Sequence, residues 1–393
     1  MRKILLSALL LIGGIVCAHA QFARGADISW CTEMEADGQK FYNAQGVETD
    51  IFALMKQLGM TAIRLRVWVN PTAYGYGAWC DKADVVAKAK RAKAQGLDLM
   101  IDFHYSDFFA DPSSQDTPID WKDYSIDQLK TAVANHTTDV LQALNAEGIT
   151  PKWVQVGNET TQGMLWPKGL IVWNSTKNTR FADYAALNNA GYDAAKAVFP
   201  NVMVIVHHDN AYQDLAWYYE EFKTAGGKFD MIGLSHYPEN NWNSTSASAV
   251  SNANAAKSVK ALGEKFGVPV MLVETGFDIE NPTLAKQVMQ DLFDRMTALT
   301  QCAGIFYWEP EANNTWKPNY YTTLGWNAYK KGAFSSDNRP TAALDPFKGS
   351  DTAIDQIKRA ANDAEPYYDL QGRRVAPTKK GIYIHQNNKI VVR

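Results

Sequence analysis

The chain has 393 residues, room for one large domain and a small appendage, and its 46% hydrophobic and 21% charged residues describe a globular protein with a full core, not a disordered one. Its 39 Lys and Arg against 42 Asp and Glu leave a net charge of -3, which gives no field to draw nucleic acid or an anionic membrane. The 12 Trp and 18 Tyr stand out, because each carries a flat apolar face that serves either a core or a ligand surface.

Residues 1–20 read as an export signal. Arg2 and Lys3 give the positive start, Ile4 to Val16 is an apolar run too short to span a bilayer comfortably, and Ala18-His19-Ala20 is a small-x-small cleavage site before Gln21. Cys17 offers a lipoprotein anchor as the alternative, although Val16 stands where such a signal wants a small residue. No later stretch is long and apolar enough to span a membrane, so the expectation is a secreted protein: periplasmic, cell-surface or extracellular. Three cysteines follow. An oxidising compartment permits one disulfide, and Cys31 and Cys80 both follow predicted strand ends; three buried free thiols are the alternative.

From Gly25 to about Phe334, short apolar runs alternate with longer amphipathic stretches. The runs are Ala26–Trp30, Ala62–Val69, Leu97–Phe103, Trp153–Val156, Val202–Val206, Met231–Leu234, Val268–Val273 and Ala303–Trp308. Helices are predicted between them, among others over Ala83–Gln95 before Gly96, Ile126–Glu147 before Gly148, and Tyr184–Phe199 before Pro200. Eight strand–helix units of this kind imply an α/β protein with a closed (β/α)8 TIM barrel. An open doubly wound sheet usually carries a glycine-rich phosphate loop after its first strand, and none is present. The expected layout is a signal at 1–20, a catalytic barrel at 21–348, a linker at 349–365 and a small C-terminal β-module at 366–393. In that module Tyr367–Leu370, Gly381–His385 and Lys389–Val392 read as short strands.

Barrel chemistry sits at the C-terminal strand ends. The fourth run leads into Gly157-Asn158-Glu159 and the seventh into Glu274, so two carboxyls face one another across the mouth. Cleavage of a glycosidic bond needs two carboxyls, one to protonate the leaving oxygen and one to attack or to activate water. A single Glu at a strand end is equally a capping group; the pair is the sharper signal. Period-2 alternation puts Arg64, Arg66 and Trp68 on one face of the second strand, where an arginine holds a carboxylate ionised or makes a structural ion pair. Other strand ends carry Asp102 and His104, His207-His208-Asp209, Ser235-His236-Tyr237 and Tyr307-Trp308-Glu309. The histidines, with Asp102 and Asp209, raise a metal alternative, but no HxH pair ends the first strand, and no metal ligand set is assigned.

Several long motifs occur in a familiar order: "GADISW" with "FYN" downstream, "RLRVWVNP", "DFHYSDFFADP", "QVGNETTQGMLWP", "IGLSHYP", "VETG" and "FYWEPE". Over roughly Gly25 to Phe334 the chain resembles the endo-β-1,4-galactanases of glycoside hydrolase family 53. The resemblance implies a retaining endo-acting enzyme that cleaves β-1,4-galactosidic bonds in pectic galactan or arabinogalactan. It implies Glu159 as acid/base and Glu274 as nucleophile. Asn158 is implied on the sugar 2-hydroxyl, Arg66 (with Arg64 below it) beside Glu274, Tyr237 orienting the nucleophile with His236 in support, and Trp308 and His104 lining the sugar subsite. No cofactor is implied, although some members hold a structural calcium near the last long loop, where Asn313, Asn314 and Asn319 are oxygen donors. Glu239-Asn240-Asn241 before Trp242, and Gly276-Phe277-Asp278, depart from the family pattern in loops that shape outer subsites. A related barrel enzyme acting on a mannan or xylan, and a non-catalytic glycan-binding barrel, are the rival readings; loss of either Glu would mark the latter, and both are present.

Overall fold

The computed structural model describes residues 22–174, 180–349, 367–369, 374–375, 381–385 and 388–392. The expected export signal at 1–20 and nearly all of the expected linker lie outside the described residues.

Eight parallel strands close into a barrel in sequence order: β1 (Ala23–Asp27), β2 (Ala62–Val67), β3 (Asp98–Phe103), β4 (Trp153–Val156), β5 (Met203–His208), β6 (Met231–His236), β7 (Val270–Thr275) and β8 (Cys302–Trp308), with β8 pairing back onto β1. The eight expected units are all present. The first is displaced: β1 ends at Asp27, and Ile28, Ser29 and Trp30 continue past the ladder into a buried aromatic cluster.

The helices start where side chains satisfy their free N–H groups. Ser125 and Gln128 form a reciprocal capping box at the start of the 126–146 helix, and Ser251 accepts from Asn254 N–H at the start of the 252–266 helix. Gly96 and Gly148 end the 82–94 and 126–146 helices in the left-handed conformation that glycine adopts without strain.

Alternation divides each strand between two cores. Outward residues such as Ile63, Leu65, Leu99, Ile101, Val154 and Val204 pack against the helices. Inward residues fill the barrel in layers. The lower layers are apolar, with Met100, Trp153, Ile205, Met271 and Phe306. Towards the mouth they turn polar, with Asp27, Arg64, Asp102, Gln155 and His207 all fully buried. A polar upper layer over an apolar plug is what a site built at the strand ends requires.

Beyond the barrel, Tyr367–Tyr368, Arg374–Val375, Gly381–His385 and Asn388–Val392 pair into a separate antiparallel sheet. Arg374–Val375 is an addition to the three strands expected there.

Candidate active site

Arg64 is the centre of the polar layer. Its guanidinium is fully buried and reaches Asp27 at 2.7 Å, Asp102 at 2.8 Å and Glu274 at 3.0 Å, and it donates to Asn158 Oδ1 at 2.9 Å. A buried guanidinium is tolerable only when its donors are met in this way.

Glu274 faces the barrel because of an irregularity in the sheet. Along β7, Val270 and Leu272 point out and Met271 and Val273 point in, so simple alternation sends Glu274 outward. The ladder with β6 slips between Leu234 and Ser235: Leu234 pairs with Leu272, but Ser235 pairs with Glu274. The slip re-aims the side chain into the barrel, a common device next to functional sites. Its second oxygen accepts from the Tyr237 hydroxyl at 2.9 Å. Burial pushes the Glu274 carboxyl up, Arg64 and the Tyr237 hydroxyl oppose that push, and the result is about 7.

Glu159 follows β4 in a turn of positive φ (+44°), after Gly157 at +82°. Its backbone N–H donates to His207 Nδ1 at 3.1 Å, which fixes that nitrogen as an acceptor and leaves Nε2–H to donate to Ser235 Oγ at 2.9 Å. Burial and the nearby Arg64 hold His207 well below the usual histidine range, so it is neutral. Ser235 in turn bonds the Glu159 carboxyl. Burial first, and then the charge of Glu274, push Glu159 well above the usual carboxylate range, and no cation is among the leading influences on it. The two carboxyls therefore sit in opposite settings, one beside a cation and one without.

Both line one cavity of about 210 Å³, together with His104, Phe109, Asp111, Asn158, Tyr237, Trp308, Tyr321 and Trp326. A second cavity, lined by Asp209, Asn210, Tyr212, Ser235, Glu239 and Lys331, shares Glu159 and Tyr237 with the first. A groove thus passes the carboxyl pair on both sides.

Asn158 is held rigidly, accepting from Arg64 and donating to Ala110 O at 2.8 Å, which leaves its second amide hydrogen for the cavity. His104 lines the cavity with both nitrogens already used: Nδ1 accepts from Ala110 N–H at 2.9 Å and Nε2 meets Asp102 at 3.0 Å. It shapes the wall and has no free donor for a ligand. Trp308 is half-buried, propped edge-on by Trp30 and Tyr329 with centroids 5.1 and 4.8 Å away.

Two placements differ from the sequence reading. Arg66 does not reach Glu274. One inward step closer to the mouth than Arg64, it pairs with Glu309 after β8 and lies within 4.9–5.9 Å of the rings of Trp30, Trp68, Phe109 and Trp308. His236 does not face the cavity. Ser235 and Tyr237 point in, so alternation turns His236 out, where Nε2 meets Asn252 Oδ1 at 3.0 Å in the helical layer. Burial lowers it to about 4.

The expected metal alternatives do not assemble. His104, His207 and His236 are committed as above, His208 turns to Asp209, and no group of three His, Cys, Asp or Glu side chains among the described residues is placed to hold an ion. Of the three asparagines near the last long loop, Asn313 has its Oδ1 engaged, accepting from Thr315 N–H, the Thr315 hydroxyl and Trp316 N–H. Cys31, Cys80 and Cys302 are buried free thiols; the Cys31–Cys80 bridge is not formed.

Sequence reading placed Ser235 and His207 at strand ends without giving them a part beside Glu159, and it missed Tyr321 and Trp326. Inward parity on β5 and β6 carries a signal for the first two. The others come from a long connection after β8 that has no period to read.

Comparison with known proteins agrees with this geometry. The profile of Glycosyl hydrolase family 53 matches residues 23–347. The chain belongs to that family. Among family 53 relatives, an arabinogalactan endo-β-1,4-galactanase of Cellvibrio japonicus is 30% identical, over 88% of this chain and 96% of its own. A solved structure from work on two fungal β-1,4-galactanases is 27% identical, with a TM-score of 0.70 over 84% of this chain and 99% of its own. The family 53 catalytic domain of Ignisphaera aggregans gives 28% and 0.70, over 83% and 95%. No helix among the described residues is long and apolar enough to cross a membrane.

Proposed function

We propose that this chain is an endo-β-1,4-galactanase that cleaves galactan or arabinogalactan by retaining double displacement, with Glu274 as nucleophile and Glu159 as acid/base. The observation that carries the assignment is the asymmetry of the pair. Glu274 has Arg64 and the Tyr237 hydroxyl on its oxygens, while Glu159 has the negative charge of Glu274 and no cation. The proton therefore resides on Glu159 when Glu274 is ionised.

In the first step Glu274 attacks the anomeric carbon as Glu159 protonates the leaving oxygen. The amide hydrogen of Asn158 that faces the cavity meets the 2-hydroxyl, and Trp308 floors the sugar ring at the reacting centre. In the second step Glu159 takes a proton from water as the water oxygen bonds to the anomeric carbon and the ester bond to Glu274 breaks, which releases the sugar with its configuration retained and leaves Glu159 protonated for the next cycle. A groove open on both sides of the pair supports internal cleavage of a long chain. The names of the family 53 relatives support galactan as that chain. The chemistry needs no cofactor, and the signal-like residues 1–20 support export.

The test is release of reducing ends from linear β-1,4-galactan, β-mannan and xylan by the unaltered chain, Glu159→Gln and Glu274→Gln. Release on galactan alone, lost in both variants, is the expected result. Release on another glycan keeps the mechanism and discards the substrate. None on any, from folded protein, overturns the assignment.

A further inference from the structure

We propose that Trp173 and Trp217 form an outer sugar-binding platform that grips the polysaccharide beyond the two cavities; this rests on the galactanase reading above. Trp173 is 41% exposed and Trp217 44%, beside Val172 at 49%. Large indole faces left in water as a pair, rather than singly, mark a binding surface. The two rings are 5.8 Å apart and tilted by 58°. Each is steadied edge-on by a buried ring: Trp173 by Phe181 at 6.0 Å and Trp217 by Tyr218 at 5.9 Å. The platform is thus held in shape before anything binds.

Its position points to the occupant. Trp173 lies in the connection after β4, and Trp217 in the first turn of the 216–224 helix after β5. Both leave the C-terminal strand ends and so belong to the mouth face. Tyr218 donates its hydroxyl to Thr160 O at 2.7 Å, next to Glu159. Asp209 and Tyr212, which line the second cavity, belong to the connection that leads into the helix carrying Trp217. A chain leaving that cavity past Tyr212 therefore runs onto the two indoles. The C–H faces of galactosyl rings are the apolar surface such a chain offers, and two tilted rings suit successive sugars better than one flat protein surface.

The experiment compares Trp173→Ala, Trp217→Ala and the double variant on long linear β-1,4-galactan and on β-1,4-galactotriose, with thermal unfolding as the fold control. The double variant is expected to raise KM on the polymer about tenfold, to leave kcat unchanged and to leave galactotriose turnover within about twofold. An equal loss on both substrates, or an unchanged KM on the polymer, overturns the platform. A second measurement needs neither alanine variant. In Glu274→Gln protein, galactan but not galactotriose is expected to protect both indoles from N-bromosuccinimide, read by peptide mass spectrometry; equal protection, or none, overturns the platform. Failure of the unaltered chain to cut galactan overturns the activity reading instead, whereas an active enzyme with an unchanged polymer KM in the double variant overturns the platform alone.

Discussion

The β7 side of the groove and the β4–β5 side solve opposite problems with similar materials. On the β7 side a buried cation, Arg64, stands among Asp27, Asp102 and Glu274 and favours the ionised form of Glu274 against the upward push of burial. On the β4–β5 side a neutral His207 and the Ser235 hydroxyl support Glu159 without any positive charge, so its proton stays. Both sides are buried and both are rich in hydrogen bonds. What separates them is one charge. Burial alone makes neither an acid nor a nucleophile; the sign of the nearest partner decides.

That comparison can be broken at either side. The largest expected effect is Glu274→Gln, which removes the proposed nucleophile and should lower kcat on galactan by at least about 10⁴-fold, measured by reducing-end release. Glu159→Gln should cost about 10²–10⁴-fold, and less on an aryl galactoside whose leaving group needs no proton. The contrast has a stability side as well. The folded carboxyl of Glu159 holds its proton more tightly than the unfolded one, so it weakens the fold as pH rises above the unfolded value. Glu159→Gln should therefore melt higher than the unaltered chain at alkaline pH and lose that advantage in acid. Arg64→Met should abolish activity and cost about 3–5 kcal/mol in chemical denaturation, because it strands three carboxyls. Ser235→Ala is milder. Ser235 stabilises ionised Glu159, so its loss should raise that pKa and move the alkaline limb of the kcat profile up, with kcat itself changed about 2–10-fold. The smallest effect is expected from removing Tyr367 to Arg393, which should leave galactan hydrolysis intact; loss of turnover in folded, truncated protein would make the tail part of the active unit.

Much of the fold was legible because alternation and helix stops are local signals. Gly96 and Gly148 end helices within a residue of where the pattern breaks. The displaced first strand shows the limit: Ile28 and Trp30 are apolar and buried, but as aromatic-cluster packing rather than as ladder. The site was legible in its residue types and less so in its contacts. Arg64 and Arg66 share an inward face, and no periodicity says which depth meets Glu274; the partner strands decide, with β7 supplying Glu274 to the lower arginine and Glu309 after β8 claiming the upper. Glu274 itself defies alternation, since its direction depends on a slip in a neighbouring ladder. His236 obeys alternation, and a motif-based reading that placed it beside Tyr237 ignored that adjacent strand residues point to opposite faces.

The charge coupling between Glu159 and Glu274 also sets the timing of the proposed reaction. The charge of Glu274 is the chief electrostatic reason that Glu159 keeps its proton. Once Glu274, as the proposed nucleophile, is bound to sugar as an ester, it carries no charge, and that reason is gone. Proton affinity at Glu159 falls at the moment its proton has been spent, which readies it to accept another from water. The intermediate thus reprograms its own neighbour: a donor becomes an acceptor with no side chain moved.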